Sequence, residues 1–220
     1  MQDKLTALDE KLHAKGANAL LVSTLDDICW LLNMRGSDIN FNPVFFAYAL
    51  VLCSSAAHPQ ARVRLYIDAD KTANVREHLS TNKVEMFPYE QIGLDLESIP
   101  ELSEGKVGYD ENSCNFMLFN ALRERSTIHV DKVLARMKAV KNDVEFEGMK
   151  RCQLRDGAAV VRYFAWLEQE LAAGRVEGLT EYTGALKCEE FRAEGEHYMG
   201  LSFGTISSIG PNGSVIHYKP

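Results

Sequence analysis

Leu5, Leu8 and Leu12 recur at intervals of three and four residues, the spacing of one helix face, and Gly16 can end that helix. "ALLVS" then reads as a short buried strand. Thr24 with Asp27 three residues on resembles a capping box that opens a second helix, "LDDICWLL". After a polar loop, "NMRGSDINFNP", the run "VFFAYALVLC" is long and apolar enough for a central strand, and "VRLYID" makes another. The periods then alternate. "ADKTANVREHLS" is helical and "KVEMFP" a strand; "YEQIGLDLESI" is helical and "KVGYD" a strand; "NSCNFMLFNALRE" is a helix and "STIHVD" a strand. Strands alternating with helices through about residue 130 predict a sheet with helices packed on its faces.

The texture then changes. Asn142 with Glu145 can cap a long helix from Asp143 to Leu171, and Gly174 and Gly178 break the chain after it. Thr180 can cap the helix "EYTGALKCEEFRAE", which Gly195 ends. "LSFGTISSI", the turn "GPNG" and "SVIHY" predict a hairpin, with Pro211 second and Asn212 third in the turn. Two separately packed regions are expected, joined near residues 131–142. The second is expected to be the less stable, because a hairpin alone cannot bury two helices well. It reads as the opening of a domain whose remainder is missing.

Composition narrows the function classes. The chain has 220 residues, 46% of them hydrophobic, so a sizeable core is available. A formal net charge of −7 argues against nucleic acid as a main partner, since phosphate binding needs clustered Lys and Arg. Basic residues do gather in "KAVKNDVEFEGMKR", but Asp143, Glu145 and Glu147 interleave with them, as on a solvated helix face. Cys29, Cys53, Cys114, Cys152 and Cys188 are odd in number and form no CxxC. That pattern argues against a disulfide framework or a cysteine zinc site, and fits small core residues in a reducing cytosol. The polar start, "MQDKLTALDEKL", has no signal-peptide core. No apolar run approaches the roughly 20 residues that span a bilayer.

The candidate chemistry is sparse. His13, His58, His78, His129 and His197 lie in contexts that suit exposed or locally hydrogen-bonded residues. No pair of histidines shows metal spacing, and no Asp follows Asp156. HExxH, GxSxG, the P-loop and GxGxxG are all missing, so no complete active site is legible from motifs. Two places remain. Arg35 and Asp38 sit in the loop between an apolar helix end and a buried strand; they are either functional or a turn in which the two pair with each other. His217, on the expected strand "SVIHY", shares a face with Val215, opposite Ile216 and Tyr218. It is either a hydrogen-bonded core residue or a catalytic one.

Three segments carry a resemblance. "ICWLLNMRGSDINFNPVFFAYALV" resembles the middle domain of the long, three-domain X-prolyl aminopeptidases (aminopeptidase P). "KAVKNDVEFEGMKRCQLRDGAAVVRYFAWLE" resembles the start of their catalytic domain, and "LSFGTISSIGPNGSVIHYKP" its first hairpin. The resemblance implies an α/β fold: a creatinase-N-like mixed sheet with flanking helices over residues 1–132, then a partial α+β "pita-bread" domain over 133–220. It implies a parent enzyme, an Xaa-Pro aminopeptidase that releases an N-terminal residue preceding proline by attack of a metal-activated water. The cofactors implied are two divalent ions, manganese by family habit, held by two Asp, one His and two Glu that all lie beyond the histidine of "IHY". A further domain would precede Met1. The chain is therefore expected to be a cytoplasmic fragment, inactive by itself and without a metal site, whose parent acts on peptides with proline second. Nucleic acid and membrane are not expected partners, and a homodimer of the parent stays open. His217 matches the position given a substrate-binding or proton-transfer role; Arg35 and Asp38 receive none. Alternatives are a non-catalytic peptide- or histone-binding relative of the same fold, and a prolidase- or creatinase-type hydrolase.

Overall fold

Ala19, Leu20, Leu21 and Val22 are all buried, so β1 (Ala19–Val22) has no solvent face. A strand with this property lies inside a sheet covered on both sides. The computed structural model describes all 220 residues and shows that sheet. It has six strands: β1, β2 (Ala47–Leu52), β3 (Arg62–Ile67), β4 (Val84–Phe87), β5 (Val107–Tyr109) and β6 (Thr127–His129). The order is β4-β3-β2-β1-β5-β6. β2 runs antiparallel to β1 and β3, while β4, β5 and β6 pair in parallel, so the sheet is mixed. β2 begins at Ala47, three residues into the apolar run, because Val44–Phe46 are tied to the preceding loop.

Alternation along the strands divides the core in two. Leu20, Val22, Ala47, Ala49, Val51, Val63 and Leu65 face one layer. That layer holds α1 (Gln2–Ala14) through Leu5, Leu8 and Leu12, α2 (Leu25–Leu32) through Ile28, Leu31 and Leu32, and α3 (Arg76–Thr81) through Leu79. Leu21, Leu50, Leu52 and Tyr66 face the other. There α4 (Ile92–Ser98) and α5 (Phe116–Ala121) bury Ile92, Leu96 and Leu118. Lys15 caps α1, and Gly16 follows it at φ +74°, the left-handed turn expected there. Thr24 does precede α2, but its hydroxyl donates to the Asp27 carboxylate and does not accept a backbone N–H. Three of the cysteines, Cys29, Cys53 and Cys188, are buried; Cys152 is exposed.

A further helix, α6 (Val133–Ala139), is absent from the elements that the sequence predicts. Val133 and Leu134 enter the first core, and the Lys138 ammonium pairs with Asp27 of α2 at 2.7 Å. The chain divides into two compact units after Val140, Met1–Val140 and Lys141–Pro220, so residues 133–140 pack with the first.

The second unit consists of α7 (Asp143–Ala172) and α8 (Glu181–Ala193) with irregular chain after them. Both expected caps form. The Asn142 side chain accepts from the Glu145 N–H while Glu145 returns the bond, and Thr180 does the same with Thr183. Arg192 of α8 donates to Asp156 of α7 at 2.6 Å. Gly184 faces Tyr163, where a Cβ would lie 2.9 Å from the phenol oxygen. The hairpin does not form. Residues 201–209 form no strand, and Gly210–Ser214 is a turn of 3₁₀-helix with Pro211 in its first turn. Gly210 and His217 both take positive φ, +58° and +55°, which breaks extended chain on each side. An isolated two-stranded hairpin is marginal in water, and no third strand of this unit covers its apolar side.

One buried carboxylate lies against the second core. Asp95 is 6% exposed and accepts from the Tyr66 hydroxyl at 2.8 Å, Arg64 at 3.3 Å and Gln91 at 3.1 Å. Burial, then the bond to Asp95, pushes the Tyr66 phenol up, so it stays a donor throughout the range of folding. Tyr66→Phe should cost about 1.5–3 kcal/mol, the range for a hydrogen bond to a charged group. Urea denaturation monitored by circular dichroism checks this; a midpoint equal to the unsubstituted chain's would show that the bond contributes nothing.

Candidate functional site

The loop after α2 is shaped by backbone demands. Asn33 closes the helix at φ +53°, a left-handed conformation asparagine tolerates. Gly36 then passes so close to the next segment that a Cβ would lie 2.6 Å from Phe45 Cβ and 2.9 Å from the Val44 carbonyl. Glycine is required there for space. The N–H groups of Gly36 and Asp38 donate to the carbonyls of Pro43 and Val44. Arg35 and Asp38 do not pair: Arg35 is exposed, and the Asp38 carboxylate accepts from Lys71 at 2.5 Å and from the Phe46 N–H at 2.7 Å. Those two donors, Lys71 first, hold the Asp38 carboxyl below the usual carboxylate range. Asp38 is thus a clasp between this loop and the short helix after β3, and Arg35 extends from the loop without joining it.

The second candidate region follows α8. Glu181, in the first turn of that helix, gathers the irregular segment. Its carboxylate accepts from the Ile209 N–H at 2.6 Å, from Asn212 Nδ2 at 3.0 and 3.1 Å, and from the Tyr218 hydroxyl at 2.6 Å. The Tyr218 hydroxyl lies 3.0 Å from Asn212 Nδ2 as well. One carboxylate thus ties down residues 209, 212 and 218, on both sides of His217. His217 itself is exposed, and no hydrogen bond or ion pair holds its ring. Its expected place on a strand beside Val215 is corrected accordingly: Val215 is 52% and Ile216 85% exposed, and no face is buried for either to share. Nothing in the sequence signals that Glu181 and Asn212 meet: a glutamate after a helix cap marks only a favourable helix dipole, and Asn212 reads only as a turn residue.

The remaining histidines are locally satisfied or exposed. His78 bonds the Leu32 carbonyl at 2.8 Å, and His13 lies 3.2 Å from Ser54 Oγ. The Glu111 N–H reaches His129 Nδ1 at 3.4 Å, and His197 is exposed beside Glu196. Among all residues, one group offers three metal-ligating side chains close together, Asp9, His13 and Cys53 in the first unit.

The Glu181 cluster is sensitive to acid. The Tyr218 hydroxyl, then the Ile209 N–H, then Asn212 hold the Glu181 carboxyl below its ordinary value of 4.5. A lowered folded value means the contribution is full above the unfolded value and is lost as pH falls through the folded one. The Ile209 amide should therefore exchange faster with solvent as pH falls through the lowered range of Glu181, beyond the intrinsic trend, while Glu181→Gln should show the fast exchange already at neutral pH. Equal protection in both proteins at both pH values would remove Glu181 as the anchor.

Comparison with known proteins adds what the geometry alone does not. Residues 1–145 match the creatinase/prolidase N-terminal domain, and residues 147–220 match metallopeptidase family M24. A probable Xaa-Pro aminopeptidase P of Sordaria macrospora is 42% identical over 228 residues, which cover 99% of this chain and 36% of that protein. The crystal structure of X-prolyl aminopeptidase from Caenorhabditis elegans, described as a cytosolic enzyme with a di-nuclear active site, superposes with a TM-score of 0.86 at 31% identity. It covers 100% of this chain and 35% of that one. An Xaa-Pro dipeptidase from Bacillus anthracis shares the fold at 15% identity, with a TM-score of 0.61 over 87% of this chain and 48% of that one. The chain spans about a third of the length of the curated relatives it matches. It belongs to the creatinase/prolidase N-terminal domain family, and over its whole length its homologues are Xaa-Pro aminopeptidases.

Proposed function

We propose that this chain is part of a metallo-aminopeptidase that releases an N-terminal residue standing before proline. The observation that carries the reading is the likeness along the entire chain: 42% identity to an Xaa-Pro aminopeptidase P over 99% of it, and a TM-score of 0.86 to an X-prolyl aminopeptidase over all of it. Such a substrate needs its own enzyme. The X–Pro bond has no N–H to grip, and proline restricts both its own φ and the residue before it. Peptidases that bind an extended strand through that N–H fit it poorly.

The neighbour's di-nuclear centre suggests two divalent ions in the parent, with manganese the metal we favour, and its cytosolic location suggests a cytoplasmic parent. The residues of Lys141–Pro220 do not fit such a pair. No three of their His, Cys, Asp and Glu side chains converge, and Glu181 is engaged with Ile209, Asn212 and Tyr218. No catalytic step is assigned through the metals for that reason.

His217 is the one side chain of this region to which we give a direct part. It would donate a hydrogen bond to the substrate carbonyl or help move the proton that the proline nitrogen needs on leaving. Its exposure and lack of a protein partner support a histidine that meets substrate. The loop with Arg35 and Asp38 is structural in this reading, since Asp38 spends its carboxylate on Lys71 and Phe46.

The test uses the whole protein with an X–Pro peptide. Release of the first residue is expected. His217→Ala should lower kcat by a factor corresponding to about 2–4 kcal/mol, as for loss of one transition-state donor, with bound metal unchanged. Failure of the whole protein to cleave X–Pro peptides rejects the reading. An unchanged kcat/KM in the variant rejects only the part given to His217.

A further inference from the structure

Asp9 and His13 stand one turn apart on α1, and Cys53 follows the end of β2. Nothing in the proposed function uses them. One donor atom from each lies within 4.8 Å of the other two. Asp9 Oδ1 is 3.5 Å from His13 Nε2. Ser54 adds a fourth group, with its hydroxyl donating to Asp9 Oδ2 at 2.6 Å and its Oγ 3.2 Å from His13 Nε2. The Cys53 thiol donates weakly to the Ala17 carbonyl at 3.6 Å. The cluster is graded in depth: Cys53 is 8% exposed, the Asp9 side chain 14% and the His13 side chain 46%. It is closed at the sulfur and open at the imidazole.

A hydrogen-bonded clasp explains part of this. The Asp9 carboxylate holds the Ser54 N–H and hydroxyl, tying α1 to the end of β2. It does not explain why a thiol and an imidazole converge on the same carboxylate. One thiolate sulfur, one imidazole nitrogen and one carboxylate oxygen make a donor set that zinc takes readily. At a tetrahedral zinc with ordinary bond lengths such donors lie about 3.3–3.6 Å apart. The Asp9–His13 pair is already there, and the widest separation has about 1 Å to close, within the reach of side-chain rotation at the open edge.

The geometry points to a mononuclear zinc-class site made by Asp9, His13 and Cys53, with Ser54 Oγ or a water in the fourth position. Without an ion, the Cys53 thiol carries the proton that it donates to the Ala17 carbonyl. Binding must displace that proton: Cys–SH and Zn²⁺ give Cys–S⁻–Zn²⁺ and H⁺. Affinity should therefore rise with pH. An ion held this way links α1 to β2, so it should also raise the thermal midpoint of the first unit by mass action.

Cobalt(II) is the probe, on the 220-residue chain. A thiolate-to-cobalt charge-transfer band in the near ultraviolet should grow to one equivalent and vanish on adding one equivalent of zinc. Cys53→Ser should abolish the band, and His13→Ala should weaken binding by about tenfold or more. Cys152→Ser, which removes the exposed thiol, should change neither. His13 is exposed at the surface, so its variant remains folded and informative even if Cys53→Ser does not. No charge-transfer band, a band that survives in Cys53→Ser, or an affinity unchanged in His13→Ala would each overturn the site.

Discussion

A strand that is apolar on both faces has to be covered on both faces, and the first unit is built around that constraint. Every position of β1 is buried, and the inner positions of β2 and β3 send Ala49, Val51 and Leu65 one way and Leu50 and Tyr66 the other. Two layers of helices must then be supplied. α1, α2, α3 and α6 cover one face, while α4 and α5 cover the other. The mixed order of strands is a further consequence, because an antiparallel neighbour needs only a loop, whereas the parallel pairs β1–β5, β3–β4 and β5–β6 need a crossover carrying helix. The buried Asp95 is compatible with this core because Tyr66, Arg64 and Gln91 satisfy it.

The second unit is organised differently. It has no sheet, and its two helices meet through small residues, Ala159, Gly184, Ala185 and Cys188. Val144, Leu154, Val161 and Phe164 on α7 remain exposed. A single carboxylate at a helix start, Glu181, orders the chain after α8, with three donors converging on it. Polar anchorage of that sort fixes the ends of the His217 segment and leaves its ring free. Under the reading proposed for His217, a ring free to meet a substrate matters more than burial.

Much of the fold is legible from the chain, because its signals are local. The central strands announce themselves as apolar or alternating runs between Gly, Pro and polar clusters, and the caps at Asn142 and Thr180 rest on residues three apart. Sequence and structure part where distance decides. α6 gives no clear signal because Val133, Leu134 and Met137 lie in a basic stretch, and their value emerges only against the core that they complete. Alternation in "SVIHY" predicts a hairpin, but alternation needs neighbouring strands, and Asn212 and Tyr218 turn to Glu181 instead. Arg35 is the neighbour that sequence offers Asp38 as a partner; the actual partner, Lys71, lies 33 residues on. Asp9, His13 and Cys53 meet only because α1 packs beside the end of β2, and no spacing rule brings residue 53 to that helix.

Under the proposed function, residues 141–220 would contribute a scaffold and one candidate histidine, His217; they hold no converging set of carboxylates for a pair of metals. Metal content by mass spectrometry, read beside a proline-release assay, tests that claim most directly. The 220-residue chain, given manganese, should retain no stoichiometric pair of ions and should not turn over an X–Pro peptide, whereas the whole protein should do both. Two manganese ions per 220-residue chain, or measurable turnover by it, would contradict the account.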